Sequence, residues 1–454
     1  MIAFLITLLY TAIGFKTKVS ETKRKTTIGR YDMKRKSIVL LSILLICSLA
    51  LSFASGTKES AGASSGVTTI KFYGSDAQYN KNIVAKFEAE NPDVKVQIVP
   101  IDFDNAEQII KTGIASGNPV DVSFFWGSQI SAFVSSGMAL DLTPYLTANN
   151  NAWLNTFVPK YIDAGKIDGK YYAVSYQPVI ETLFVNKTIF AENGLEVPTT
   201  WDELLVVAEK LKQKGIYAIG NWSGQNHQLL VFAYQVMANN GVLEQAAAGK
   251  LPFAGPNEAP GLRKALELLR DAYKKGYWYP GEGALTATKD QVQAAFYQGK
   301  IAMLFDAGSN VGLYEQNAPF EVGVAKFPLV EKGGKYAVNV VTNALFVPIN
   351  AAHKEEAVRF IKFYTSEAGQ SETMATGRLP SIKAKQDKIE NKLMQALMNT
   401  TTGDNVVSYR HMQNISPEVN SYLQNDLVGA VCAGESIDSA LAKLEALRVK
   451  AMGE

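Results

Sequence analysis

Cysteine and histidine are the scarcest chemically versatile residues of this sequence, because its 454 residues include two cysteines and three histidines. Cys47 and Cys432 are too few for a disulfide framework or for a cysteine-based zinc cluster. The histidines lie far apart in sequence, and no His-Glu-x-x-His pattern occurs. We therefore predict no metal site, no cofactor and no disulfide scaffold.

A strong charge of one sign is also lacking from the main part of the chain. The first 54 residues hold nine of the 45 Lys and Arg and two of the 43 Asp and Glu, which leaves 36 basic and 41 acidic residues. A mildly acidic body without a basic run argues against a nucleic-acid partner. With 47% apolar and 19% charged residues, the chain has enough apolar side chains for a large folded body.

The amino-terminal region has the pattern of an export signal. Met33 to Lys36 is basic, residues 38–54 carry no charge, and Ala54 ends the apolar run with a small residue. This pattern predicts a signal peptide over residues 33–54, cleaved after Ala54, and a flexible linker over residues 55–67. Seventeen apolar residues also reach the lower limit for a membrane span, so an uncleaved leader that tethers the protein stays open. We interpret residues 1–32 as an untranslated extension.

The body alternates short apolar strands with helices. We predict strands over residues 69–73, 94–99 and 120–125, with helices over 80–89 and 105–116 between them. This alternation favours an α/β fold with a mainly parallel sheet covered by helices on both faces. Thr200 and Glu203 form a predicted capping box at the start of another helix.

Several short motifs, in a consistent order, resemble the family 1 extracellular solute-binding proteins, the family that includes the maltose-binding protein. They cover the body from about residue 68 to the carboxyl terminus, and no single one is specific. The segments that carry the resemblance are residues 87–96, 121–126, 137–145, 168–172, 183–187, 198–203, 299–303 and 377–380.

The resemblance implies a two-lobed periplasmic-binding-protein fold of type II, with a ligand cleft between the lobes. Three crossovers are expected near residues 176–179, 341–343 and 378–379. Lobe one would then hold residues 68–177 plus 344–377, and lobe two residues 178–343 plus 378–454. The lobes would close on the ligand by a hinge motion.

The implied function is that of a periplasmic substrate-binding protein, not an enzyme, which captures a sugar or oligosaccharide for an ABC importer. Its partners would be the small-molecule ligand and the permease subunits in the membrane, and we expect a monomer. Sugars need hydrogen-bonding side chains at fixed positions and flat apolar faces. Candidates follow predicted strands or lie on the crossovers, where open α/β sheets bind ligands. The ligand-binding residues predicted in this way are Ser75, Asp76, Trp126, Gln129, Tyr176, Trp222, Asp306, Ser309, Asn343 and Arg378.

One position departs from the family pattern, and two other functions stay open. The family often has Trp just after the strand that ends near Phe305, whereas this chain has Gly308 and Ser309. The same fold could bind a polyamine, a metal or a phosphorylated ligand. A secreted glycoside hydrolase would need two carboxylates that flank the scissile bond, for which Asp306 and Glu181 are the candidates.

Overall fold

The computed structural model describes residues 66–75, 77–102, 105–223, 226–247, 249–409 and 416–452. The predicted leader, its cleavage site and the candidate ligand residue Asp76 lie outside these ranges.

The first lobe begins with the predicted alternation of strands and helices. Its opening elements are β1 (Thr68–Gly74), α1 (Gln78–Glu90), β2 (Val94–Pro100), α2 (Ala106–Ala115) and β3 (Val122–Trp126). Strand β1 lies in the middle and pairs in parallel with both β2 and β3. The parallel arrangement predicted for this part of the chain is confirmed.

Two long antiparallel strands connect the first lobe to the second. They are β6 (Val174–Asn186) and β10 (Tyr336–Phe346). The sheet order is β2-β1-β3-β10-β6-β8-β7, with β9 beside β6 and β11 beside β10. Strand β10 pairs antiparallel with β3, and β6 pairs antiparallel with β8 and β9. The sheet is therefore mixed, because one strand carries the chain into the second lobe and the other carries it back.

The second lobe repeats a parallel pairing at its outer edge, between β7 and β8. The remaining strands of the body are β4 (Lys166–Ile167), β5 (Lys170–Tyr171), β7 (Tyr217–Gly220), β8 (Ile301–Ala307), β9 (Val322–Ala325) and β11 (Val406–Tyr409).

Helices cover the sheet and complete both lobes. In chain order they are α3 (Ser131–Val134), α4 (Thr143–Asn151), α5 (Pro159–Ile162), α6 (Lys187–Glu192), α7 (Trp201–Lys212), α8 (Val231–Asn239), α9 (Leu243–Ala247), α10 (Leu262–Lys274), α11 (Lys289–Tyr297), α12 (Val311–Asn317), α13 (Lys354–Tyr364), α14 (Glu367–Met374), α15 (Lys383–Gln386), α16 (Lys392–Asn399), α17 (Pro417–Ser421), α18 (Leu427–Cys432) and α19 (Ile437–Met452).

Helix α7 shows how a local signal in the sequence sets a helix end. The Thr200 hydroxyl accepts a hydrogen bond from the Glu203 N–H, and the Glu203 carboxylate accepts one from the Thr200 N–H. This reciprocal pair is the predicted capping box, and it satisfies two backbone donors that the helix leaves free. Backbone and side-chain hydrogen bonds from Thr199 hold the pKa of the Glu203 carboxyl below its usual value.

Each lobe has its own apolar core. In the first lobe, Phe72 and Phe87 pack edge-on against Phe360 at centroid distances of 5.4 and 5.1 Å. In the second lobe, Trp201 packs against Phe232 at 4.8 Å. Such burial of aromatic side chains is the main term that stabilises a lobe of this size. None of the helices in the described ranges has both the length and the apolar character needed to span a bilayer.

The backbones of α12 and of the segment after α14 touch through two glycines. A Cβ atom at Gly312 would collide with the Thr376 carbonyl group, and it would also lie 3.4 Å from the Gly377 Cα. Gly312 lies in helix α12, so alanine suits its local conformation and only this contact excludes it.

We expect the substitution Gly312→Ala to destabilise the protein by about 1–3 kcal/mol, the usual cost of overpacking. Gly429 in α18 is a matched control, because no atom lies within 4 Å of the Cβ position there. Gly429→Ala should stabilise the protein by up to about 1 kcal/mol through helix propensity alone. Chemical denaturation measures both, and stabilisation by Gly312→Ala would contradict the close backbone contact.

Candidate functional site

Two predicted ligand residues lie at the carboxyl ends of neighbouring first-lobe strands. Ser75 follows β1 and Trp126 ends β3, and both side chains are partly exposed. Because β1 and β3 are parallel, their ends meet at the same edge of the sheet. Trp126 is also the register partner of Asn343 on β10, so a third predicted residue lies beside it.

The crossover strands meet at an amide pair. The Asn343 Nδ2 donates to the Gln177 Oε1 at 3.2 Å, and a bulge in the pairing of β6 and β10 follows directly, between Asn343 and Ala344. Gln177 is fully buried, and among the described residues its Nε2 has no acceptor. A buried amide donor without a partner is costly, so this junction favours a ligand or a water molecule that accepts from it.

A cluster of tyrosines joins the first and third crossovers. The Arg378 guanidinium lies 4.7 Å from the ring centroid of Tyr79 in α1, and the Tyr176 ring lies 5.0 Å from that of Tyr364 in α13. Burial raises the pKa values of Tyr176 and Tyr364 well above the usual range; the nearby Tyr79 adds to the shift, and Arg378 opposes it. Both phenols therefore stay neutral at physiological pH and can donate hydrogen bonds.

The tyrosine cluster extends to Ser75. The Tyr364 hydroxyl donates to the Asn80 Oδ1 at 2.6 Å, and the Asn80 Nδ2 donates to the Ser75 Oγ at 2.9 Å. The structure thus brings Ser75, Tyr176, Asn343 and Arg378 into one region at the junction of the lobes. We call this region, with Tyr79, Asn80, Gln177 and Tyr364, the crossover cluster. Gln177 lies beside Tyr176 on the first crossover, where ligand contacts were expected, whereas Tyr79, Asn80 and Tyr364 were not among the predicted ligand residues.

Gln129 lies in a short turn, Gly127–Gln129, that follows Trp126. A Cβ atom at Gly127 would collide with the Thr342 hydroxyl on β10, so glycine lets the turn lie against the crossover strand. This close approach places Gln129, which is partly exposed, at the same strand end as Trp126.

The second-lobe candidates Trp222 and Asp306 are buried, at 5% and 2% exposure, whereas Ser75, Trp126 and Gln129 of the first lobe are partly exposed. The Lys289 Nζ lies 5.7 Å from the centroid of the Trp222 ring, so this ring already has a cationic neighbour. Trp222 packs in a core cluster that also contains Phe184 and Leu304.

Asp306 is held by donors of its own lobe. Its carboxylate accepts hydrogen bonds from the Ala307 N–H at 2.7 Å, the Asn310 Nδ2 at 2.7 Å and the Tyr314 hydroxyl at 2.6 Å. Burial raises the pKa of Asp306, while Tyr314 and the charge of Lys289 act in the opposite direction. In this structure Asp306 organises the turn Gly308–Asn310, on which the predicted ligand residue Ser309 lies partly exposed.

The carboxylates proposed for a hydrolase do not form a pair. Thr182 is the register partner of Asp306, and Glu181 is the partner of Ala307. Since consecutive residues of a strand point to opposite faces, the Glu181 and Asp306 side chains lie on opposite faces of the sheet. They cannot flank one glycosidic bond from these positions. Within the described residues, no group of three or more His, Cys, Asp or Glu is placed to hold a metal ion.

A cavity of about 650 Å³ lies between α12 and residues 374–378. Ser309 and Arg378 both line it, which connects the turn after β8 to the third crossover.

The family model for bacterial extracellular solute-binding proteins matches residues 73–371. The chain belongs to this family.

Two similar proteins are binding proteins of different bacteria. A binding protein of Brucella abortus is 27% identical over 361 residues, which cover 78% of this chain and 83% of that protein. The multiple sugar-binding protein of Streptococcus mutans is 27% identical over 351 residues, which cover 73% and 79% of the two chains.

A solved structure confirms the predicted type II fold. It is an ABC substrate-binding protein from Listeria monocytogenes in complex with cycloalternan, with a TM-score of 0.72 and 22% identity, and the match covers 85% of this chain and 99% of that one.

The buried carboxyl of Asp306 predicts a pH dependence of stability in this solute-binding protein. Its pKa is raised on folding from a usual value of 3.8, so its contribution is complete below that value and is lost as pH rises through the folded pKa. The stability of wild type relative to Asp306→Asn should therefore fall as the pH rises above 3.8 and level off above the folded pKa.

Denaturation at several pH values measures this difference. Tyr314→Phe removes a donor that favours the ionised carboxylate, so the loss of stability should extend to higher pH in that variant. A difference between wild type and Asp306→Asn that stays constant over the range would contradict the raised pKa.

Proposed function

We propose that this chain is the extracytoplasmic substrate-binding protein of an ABC importer, and that it captures a sugar or oligosaccharide between its two lobes. The observation that carries the proposal is the crossover cluster, where amide, phenol and guanidinium groups of the first lobe and of the three crossovers meet beside Trp126. Ligand binding there would draw the lobes together, because it adds contacts that only the closed form makes.

The chemistry of this region suits a neutral polyol. Asn343 and Gln177 carry amide donors and acceptors, and Arg378 carries a planar group that can donate to two adjacent oxygens. Trp126 supplies a partly exposed aromatic face for the C–H side of a sugar ring. The single charged side chain of the crossover cluster is the cationic Arg378, which disfavours a polyamine cargo.

The named relatives point to the same class of ligand. The Streptococcus mutans relative is a multiple sugar-binding protein, and the Listeria monocytogenes structure holds cycloalternan. We infer that Trp126, Gln129, Tyr176, Asn343 and Arg378 contact the cargo. Ser75, Asp76, Trp222, Asp306 and Ser309 remain in the proposed ligand set, with Asp306 acting through the turn it organises.

The proposed setting is the periplasm, with residues 33–54 as a signal peptide that is cleaved near Ala54. The proposed lobes are residues 68–177 plus 344–377 and residues 178–343 plus 378–454. We propose a monomer without enzymatic activity that delivers its ligand to the permease. The packing of Ile382 with the first-lobe core indicates that the third crossover continues a few residues past 379.

A thermal-shift panel tests the cargo class. The chain is expressed with its leader, recovered after export, and heated with mono- and oligosaccharides, polyamines or sugar phosphates. A sugar at a hundredfold excess over its Kd should stabilise the protein by about 2.7 kcal/mol. A shift with polyamines or phosphates and none with any sugar would overturn the proposed cargo.

Replacement of Trp126 tests the aromatic face. Trp126→Ala should weaken sugar binding by about tenfold or more, because the stacking area is lost, whereas Trp126→Phe should keep most of the affinity. Isothermal titration calorimetry gives both affinities. Equal affinity in wild type and Trp126→Ala would remove this residue from the proposed site.

A further inference from the structure

Gln370 of helix α14 is a fully buried amide that contacts two of the crossovers. Its Nε2 donates to the Tyr176 carbonyl oxygen at 3.0 Å, on the first crossover. Its Oε1 accepts from the Ser381 N–H at 2.8 Å and from the Ser381 hydroxyl at 3.3 Å, on the third crossover. One side chain of the first lobe therefore joins these two crossovers, although Tyr176 is 194 residues away from it in sequence.

The Tyr176 end of this contact lies at the bulge in the pairing of β6 with β10. Along β6, the residues on either side of Tyr176 have register partners on β10, whereas none of the described residues of β10 is in register with Tyr176 itself. The extra residue of a bulge is left outside the ladder of backbone hydrogen bonds. Gln370 donates to the carbonyl oxygen that the ladder leaves free, so the bulge is attached to helix α14.

The Ser381 end of the contact is held from a second direction. The Ser381 carbonyl oxygen accepts from the Val158 N–H at 3.0 Å, and the next residue, Ile382, forms an isolated β-bridge with Phe157. Ser381 is fully buried, so all of these hydrogen bonds are shielded from water. They attach the third crossover to the first lobe directly after the segment that carries Arg378.

Both crossovers joined by Gln370 carry residues of the proposed ligand set. Tyr176 is itself one partner of Gln370, and Arg378 lies just before the other partner in sequence. Without the amide, a buried carbonyl and a buried N–H would both lack a partner, and the two strands would have to rearrange to satisfy them. The position of the Tyr176 phenol relative to the Arg378 guanidinium therefore depends on Gln370.

We propose that Gln370 is a positioning residue for ligand capture, which holds the first and third crossovers together so that they bend as one hinge and present Tyr176 and Arg378 to the sugar. Gln370 is buried beneath the crossovers and acts through them, without a contact to the ligand. The hydrogen bond from Asn343 to Gln177 joins the second crossover to the first, so two amide contacts link all three. The proposal rests on the proposed sugar-binding function.

Calorimetry on the full chain, recovered after export, tests this role with maltotriose, xylotriose and triacetylchitotriose as probes. Gln370→Met keeps the length of the side chain and removes both hydrogen bonds. For a probe that wild type binds, this variant should bind at least about tenfold more weakly, because the arrangement that binds is then populated in about a tenth or less of the unliganded molecules.

Gln370→Asn provides a second variant, in case Gln370→Met does not fold. It keeps the amide group on a side chain that is too short to reach both crossovers at once, and it should weaken binding of the same probe at least about threefold.

Gln235 is a matched control for a buried amide. Its Nε2 donates to the Pro328 carbonyl oxygen at 3.1 Å and its Oε1 accepts from the Val330 N–H at 2.9 Å, but both partners lie in the second-lobe segment before β10, outside the crossovers. Gln235→Met should lower the melting temperature as Gln370→Met does and change the affinity less than about twofold. A general loss of stability would affect the affinities of both variants alike.

Hydrogen exchange of the unliganded proteins, followed by mass spectrometry, gives a second measurement that needs no sugar. Gln370→Met should speed exchange in peptides that cover residues 174–178 and in those that cover residues 379–382, whereas Gln235→Met should leave both unchanged. Faster exchange in both crossovers supports the positioning role.

The outcomes separate this role from the proposed function. Wild-type affinity in the Gln370 variants that fold, or an equal loss of affinity in Gln235→Met, overturns the positioning role alone. Absence of binding to every probe in wild type overturns the proposed function. Exchange that becomes faster only in residues 379–382 overturns the positioning role, whether or not a sugar binds.

Discussion

The antiparallel pairing of β6 with β10 is the constraint on which the rest of the structure depends, because both strands belong to both lobes. Strands β1, β2 and β3 attach on the β10 side of this pair, and β7, β8 and β9 attach on the β6 side. The bulge between Asn343 and Ala344 interrupts the pairing of β6 with β10 at the junction of the lobes. A strand can bend at a bulge at little cost, because its hydrogen bonds are already interrupted there. The amide pair of Asn343 and Gln177 lies at the same place, so the hinge and the proposed ligand site share these two residues.

This arrangement couples binding to closure. A ligand that contacts Gln177 or Asn343 touches the two strands that connect the lobes. A chain of contacts extends that coupling into the first-lobe helices. Asn80 donates a hydrogen bond to Ser75, Tyr364 donates one to Asn80, and the Tyr364 ring packs edge-on against Tyr176. In the second lobe, Asp306 and Tyr314 hold the turn that carries Ser309. Hydrogen bonds therefore fix the positions of proposed ligand residues in both lobes.

The sequence predicted those features of the fold that depend on interactions between residues close together in the chain. The capping box of Thr200, the parallel opening strands and the strand-end position of Trp126 each depend on a few neighbouring residues. Tyr364 is nearly 300 residues from its partner Asn80, and no local signal marks it as part of the cluster. The antiparallel pairing of β10 with β6 could not be predicted for a similar reason: Asn339 and Thr342 break the apolar run of β10, and the pairing is long-range. Asp306 was predicted as a ligand residue from its position at a strand end, and its three hydrogen-bond donors become visible only in the folded turn.

Small-angle X-ray scattering tests the central claim, which is that the shared strands form a hinge that closes on a sugar. The radius of gyration of the exported protein would be measured alone and with a saturating sugar that calorimetry shows to bind. The account predicts a smaller radius with the sugar, because contacts from both lobes favour the closed form. An unchanged radius, with binding demonstrated in the same sample, would contradict it.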